Sequence, residues 1–313
     1  MAERPARGLH RLAVATAGAT LVLLFLGGLV TSTGSGLAVP DWPLSFGQVF
    51  PPMVGGVLFE HGHRLAATFV GSLTLVLAGW LIVREPRPGV RLLGMLALFA
   101  VTLQGVLGGV TVLYKLPLAV SVTHACLAQV FFCLTVTLAV VTGDGWRRPL
   151  PTLGVGAGLP ALAIATTVLV FAQLVLGALM RHMKAGLAIP DFPLAFGRLL
   201  PPLVTPLITI HFAHRVGALI VLAAVSTLAL RARRAPQPLR RPAFLAAGLV
   251  ALQLLLGATI IWSRRAVVPT TTHVVIGAAL LASCLVVALR ASRLVPRRAA
   301  AQAPVGLGQG ALA

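Results

Sequence analysis

Four histidines carry the chemistry open to this sequence: His63, His124, His214 and His273. Each falls near the start of a long apolar segment, where an ionisable side chain is costly and therefore points to function. His63 and His214 match one another, because each is followed by an arginine (Arg64, Arg215) and then by small or aliphatic residues. His124 and His273 match through Thr123-His124 and Thr272-His273. Two imidazoles brought to one depth by separate helices of a bundle suit axial ligation of a heme iron. A zinc site would ask for a third or fourth ligand, usually cysteine or carboxylate. A lone intramembrane histidine is more often a helix–helix hydrogen bonder, but four at duplicated positions favour a bound cofactor. The small residues Ala66-Ala67 and Gly217-Ala218 would let a flat macrocycle approach, although they serve plain helix packing equally well.

One carboxylate stands beside this set. Glu60 lies three residues before His63, a spacing that allows both on one helical face. The matching position before His214 is His211. A one-sided carboxylate suggests chemistry in the first half and electron transfer or structure in the second, with Glu60 a proton acceptor or relay. The competing reading is a helix N-terminal carboxylate favoured by the dipole. Arg64 and Arg215 are candidates for holding heme propionates, against the equal alternative of snorkelling to headgroups. His61 is expected to be interfacial, and His10 and His182 have no assigned role. Asp41 and Asp191 are read as turn builders or as part of a lid.

The elements that must position these residues are membrane spans. The 313-residue chain is 58% hydrophobic and 10% charged, far below the charge of a soluble domain. Eight apolar spans are predicted over 12–31, 61–83, 91–113, 120–142, 157–180, 207–230, 243–262 and 271–290. The first is long enough to span, and the fifth repeats its context, so it is kept as structure rather than as a signal peptide. The net charge of +19 resides in short loops without aromatic interleaving, which argues against nucleic acid binding. Most Lys and Arg sit at the termini and in alternate loops, placing both termini in the cytoplasm and the histidines toward the outer face. Cys126, Cys133 and Cys284 fall inside spans and suggest no disulfide.

An internal repeat organises the spans. The loop Gly36-Leu37-Ala38-Val39-Pro40-Asp41-Trp42-Pro43-Leu44-Ser45-Phe46-Gly47 is answered by Gly186-Leu187-Ala188-Ile189-Pro190-Asp191-Phe192-Pro193-Leu194-Ala195-Phe196-Gly197. Gln104 with Leu107-Gly108 is answered by Gln253 with Leu256-Gly257. Each half holds an even number of spans, so the halves share one orientation. The expected fold is all-α: two tandem four-helix bundles related by a pseudo-twofold axis along the membrane normal. The bundles comprise residues 1–142 and 157–290, joined by a linker at 143–156, with a disordered tail at 291–313.

The Glu-x-x-His-Arg stretch, the Pro-Asp-Trp-Pro-Leu loop and the four duplicated histidines together resemble the heme A synthase family across nearly all of residues 12–290. That resemblance implies a membrane oxidoreductase converting the C8 methyl of heme O to the formyl of heme A for heme-copper oxidases. It implies a substrate heme in the first half, ligated by His63 and His124, and a heme b cofactor in the second, ligated by His214 and His273. Glu60 matches the family's catalytic carboxylate. Heme O synthase and a membrane electron partner would be neighbours, and a homo-oligomer is compatible with all of this. Many bacterial members carry a cysteine pair in the first outer loop; Val39 and Ser45 stand there, with Ile189 and Ala195 in the second loop, so a thiol role is excluded. The competing functions are a non-catalytic di-heme b-type cytochrome, which has no need of Glu60, and a transporter built on the repeat.

Overall fold

The computed structural model describes residues 7–146, 150–151, 155 and 158–295. Eight helices follow one another: α1 (Arg7–Ser32), α2 (Gly56–Arg84), α3 (Pro88–Leu113), α4 (Leu118–Thr142), α5 (Leu159–His182), α6 (Pro206–Ala232), α7 (Gln237–Trp262) and α8 (Val267–Ala291). They run from 24 to 29 residues, roughly 36–44 Å at 1.5 Å per residue, which exceeds the ~30 Å hydrocarbon core. All eight are apolar enough to cross a membrane. A helix satisfies every backbone group within itself, and that requirement decides the conformation of such segments in lipid.

The helices overrun the predicted spans at the end that carries the histidines. α2 begins at Gly56 and α8 at Val267, because prolines and loop-like residues end an apolar window sooner than they end a helix. At α6, for example, Pro206 occupies the first turn, and the Thr205 hydroxyl caps it by accepting the Ile208 N–H at 3.3 Å. The four histidines consequently lie about two turns inside their helices.

The odd-numbered helices all stop by the same device. The amide of Ser35 bonds back to the Val30 carbonyl, Leu116 to Thr111, Ala185 to Met180 and Arg265 to Ile260. A left-handed residue precedes each: Gly34, Lys115, Lys184 and Arg264. This is the Schellman closure, and three of the four use a cation that suits the negative helix end.

In the first half α1 packs on α2, α2 on α3, α3 on α4 and α4 back on α1. The second half repeats the ring with α5 to α8, and the halves meet where α4 faces α8, α1 faces α8 and α4 faces α5. Exchanging α1 with α5 and α4 with α8 maps that seam onto itself, as a twofold relation requires. Two dense apolar clusters fill the second half, around Leu228 with Leu239 and around Val225 with Leu281; the first half is filled around Leu77, Leu81 and Leu138. Many large apolar side chains remain exposed on the outer surface, among them Phe69, Phe99 and Leu219, as expected for helices facing lipid.

Part of the linker and tail departs from expectation. Leu150–Pro151 pairs in parallel with Leu294–Val295, and Arg293 lies over the Trp146 ring at 5.3 Å. The first residues after α8 are therefore ordered against the linker; the rest of the proposed tail, 296–313, and linker positions 147–149, 152–154 and 156 lie outside the described residues.

Candidate functional site

The two long loops, which follow α1 and α5, fold back over the histidine end of their bundles in nearly identical ways. In each, a tight turn with two consecutive left-handed residues, Phe46-Gly47 and Phe196-Gly197, is closed by paired backbone bonds between Ser45 and Gln48 and between Ala195 and Arg198. Asp41 accepts the Phe46 and Gly47 amides at 2.7 and 2.8 Å, and Asp191 accepts those of Phe196 and Gly197 at the same distances. The Gly47 and Gly197 amides, then those of Phe46 and Phe196, hold both carboxyls below the usual carboxylate range. Both aspartates thus build the loops. Trp42 lies against α3 at Gly109, where an added Cβ would collide with the indole.

Arginine ties each loop to its bundle. Arg64 donates to the carbonyls of Asp41 at 2.8 Å, Leu44 at 2.9 Å and Val39 at 3.4 Å, and pairs with Glu60 at 2.7 Å. Arg215 donates to the carbonyls of Leu194, Asp191 and Ile189 and contacts His211 through Nε at 3.3 Å. A guanidinium has five N–H groups in a fixed fork, and in both arginines most already serve the loop. The propionate role considered for them would have to compete with these bonds.

Glu60 and His211 occupy the same place and differ in what they can do. Glu60 is 4% exposed; Oε1 meets Arg64, and Oε2 accepts the Val39 amide at 2.9 Å. His211, 3% exposed, faces the Ile189 amide at 3.2 Å and the Arg215 Nε–H. A carboxylate answers two donors and neutralises the arginine. A neutral imidazole has one acceptor nitrogen, so the second half keeps a cation that the first half cancels. Glu60 therefore turns its oxygens toward the loop and Arg64.

His61 overturns one expectation. Instead of lying at the interface it is 6% exposed, and its Nδ1 is 2.8 Å from the hydroxyl of the fully buried Ser45. The loop folding back across α2 encloses a side chain that helical phase alone points outward. Phe212 and Ala195 stand at the matching positions, so the contact belongs to the first half only. His10 bonds Thr142 at 3.3 Å, joining α1 to α4.

The four duplicated histidines come together in pairs. His214 and His273 have ring centroids 6.5 Å apart, inclined at 61°. His63 and His124, on α2 and α4, lie within electrostatic range of each other. Each ring abuts a glycine on a neighbouring helix. A Cβ added at Gly27 would lie 3.0 Å from Cε1 of His63, and one at Gly177 would lie 3.0 Å from Cε1 of His214. At Gly108 the distance to His124 would be 3.4 Å, and at Gly257 to His273 3.7 Å. Sequence reading found the Gly108–Gly257 match but not the cradle it forms. It also missed Gln173, which donates to the His214 carbonyl at 2.7 Å and lies 3.0 Å from its Nδ1. Gln173 has no polar counterpart, since Leu23 holds the matching position, so the repeat offered no signal for it. Gln104 donates to the His124 carbonyl at 2.8 Å.

A bis-histidine iron site fits these residues on three counts. Two imidazole nitrogens at about 2 Å on opposite sides of one metal place ring centroids about 6 Å apart, which matches His214 and His273. Nδ1 of His63, His124 and His273 is buried without a partner, leaving Nε2 as the nitrogen available to a ligand. No three His, Cys, Asp or Glu side chains converge among the described residues, as suits a metal whose other ligands come from a macrocycle.

The glycine cradle makes a prediction. Gly177→Ala must push the His214 ring by a few tenths of an ångström, and heme retention at that pair is expected to weaken on the order of ten-fold. Gly18→Ala, with nothing within 4 Å of the added carbon, is the control. Equal heme content in the two purified variants would refute the cradle.

The fold and site together define a duplicated eight-helix membrane protein with two intramembrane histidine pairs suited to heme iron. The sequence model of the Cytochrome oxidase assembly protein family (COX15-CtaA) matches residues 54–285. The chain is 32% identical over 261 residues to the heme A synthase of Symbiobacterium thermophilum, covering 80% of this chain and 85% of that protein. It is 32% identical over 222 residues to that of Shouchella clausii, covering 69% and 73%. With the heme A synthase of Beijerinckia indica it shares 33% identity over 256 residues, covering 64% and 69%. The chain belongs to the heme A synthase family.

Proposed function

We propose that this chain is itself a heme A synthase, a membrane oxidoreductase that converts the C8 methyl of heme O to a formyl group. The observation that carries the reading is the duplicated histidine pair with a buried carboxylate, Glu60, in one half alone. Family membership supports it. His63 and His124 hold the substrate heme, and His214 and His273 hold heme b, which supplies one-electron redox chemistry when bound. Glu60, at the edge of the substrate pair, takes up protons released from the oxidised carbon. Arg64 holds that side chain in place at 2.7 Å. With water as the oxygen source, methyl-to-formyl conversion releases four electrons and four protons, so an electron acceptor in the membrane is a partner, and heme O synthase supplies the substrate.

The Lys and Arg asymmetry supports cytoplasmic termini and histidine pairs toward the outer face of the cell membrane. Two bundles, residues 1–142 and 157–290, divide the work. A homo-oligomer is compatible with the lipid-facing surface.

The test is expression of the full chain with a heme O source, followed by extraction and chromatography of the hemes. Heme A or its hydroxylated precursor is expected. A heme-loaded, folded preparation that yields only heme O would refute the enzyme and leave an electron-carrying cytochrome.

A further inference from the structure

Arg181 is a cation that the proposed chemistry leaves without a role. It stands in the last turn of α5, at the histidine end of the molecule, where the two halves meet. One of its terminal nitrogens donates to the Gly28 carbonyl at 2.8 Å and to the Ser32 hydroxyl at 2.9 Å, both on α1. Ser32 in turn accepts from Thr271 of α8 at 2.9 Å. Gly28 is next to the glycine that backs His63, and Thr271 is two residues from His273. Arg181 thus reaches into the space between the two histidine pairs.

All of these partners are neutral. The carboxylates at this end are Asp41, Asp191 and Glu60; the first two close their loops, and the third pairs with Arg64. Among the described residues no carboxylate pairs with Arg181. Another cation, Arg265, lies within electrostatic range and has its side chain beside Gly186 at the start of the second loop. His273 is within electrostatic range of Arg181 as well. Arg265 is exposed on the loop between α7 and α8, whereas Arg181 is drawn into the seam between the halves; a guanidinium withdrawn from water there is costly unless an anion joins it. The arginines of the duplicated Glu/His-x-x-His-Arg stretches are poorly placed to take such an anion, because their N–H groups already serve loop carbonyls.

We propose that Arg181, with Arg265, binds the carboxylate edge of the porphyrin held between His214 and His273. The proposal rests on the heme reading of that pair. A porphyrin with propionates on one edge presents two carboxylates, and planar guanidinium forks match them in geometry and charge. An anionic edge placed there gives Arg181 the counter-charge it lacks, with the exposed Arg265 at its rim.

The experiment uses full-length protein, purified in detergent from a heme-deficient host. It is titrated with hemin and with hemin dimethyl ester, which keeps the macrocycle and lacks the charge. The Soret change absent from a His273→Ala variant isolates the second-half site. The wild type is expected to bind hemin at least about ten-fold more tightly than the ester. Arg181→Gln should weaken hemin about ten-fold, leave the ester unchanged and so erase the discrimination, with Arg181→Lys intermediate. If Arg181 only clips α1 to α5, Arg181→Gln weakens both forms alike, and that result overturns the proposal. So does a wild type that binds acid and ester equally. A Soret signal indifferent to His273 would instead refute the heme site itself, and failure to convert heme O would refute the enzyme while leaving this binding test intact.

Discussion

Glu60→Gln is expected to leave heme bound at His214 and His273 and to lower conversion of heme O by about 10²–10⁴-fold, the usual contribution of a positioned acid–base group. The substitution suits the site because glutamine keeps an oxygen for the Val39 amide while removing the charge that faces Arg64. If Glu60 only latches the loop, retaining one of its two hydrogen bonds should preserve most of the turnover. Glu60→Asp keeps the charge but shortens the reach, and should recover part of the rate that glutamine loses. Product formation by single-turnover chromatography, beside heme content by pyridine hemochrome, separates the two roles. Turnover within about three-fold of wild type for Glu60→Gln would remove the carboxylate from the chemistry.

His214→Ala and His273→Ala are each expected to abolish the low-spin, six-coordinate spectrum of the second half. His214 and His273 face one another at 6.5 Å and would hold the proposed iron together, so losing either ring would leave a single imidazole to hold it. Substitution of His63 should leave that spectrum in place, because the two pairs lie in different helical rings. The measurement is the low-temperature optical or electron paramagnetic resonance spectrum of the purified chain. A low-spin signal that survives both second-half substitutions would mean the pairs have been assigned to the wrong halves. His214→Met tests the same site more gently, since a thioether can still ligate iron and should raise its reduction potential.

The sequence made the spans and the repeat legible because hydrophobic length and duplication are properties of type and order. The histidine pairs followed from them, since equal places in equal helices come to equal depth. The loops were harder to foresee. That Arg64 and Arg215 gather backbone carbonyls depends on how a proline-rich segment folds back, and their residue types fit a propionate as readily as a carbonyl. His61 was misplaced for the same reason: helical phase sends it outward, and the returning loop with Ser45 covers it. By residue type and position Arg181 reads as one more loop charge at a helix end. Its counterpart in the first half is Thr31, so the repeat passes over it as it passes over Gln173. Gly108 and Gly257 are legible as a matched pair, but only the rings beside them, and those beside Gly27 and Gly177, give the match a purpose.

The twofold seam of α4 on α8 has an electrical consequence. A parallel duplication sets both histidine pairs at one level, so the line joining them runs in the plane of the bilayer. A charge carried across the membrane gains or loses about 2.3 kcal/mol per 100 mV, and an inverted repeat, with its two sites at opposite depths, would expose the exchange to that bias. Electron passage between hemes held at the two proposed sites would move along an equipotential. The cell could then energise or collapse its membrane without driving or stalling that proposed step.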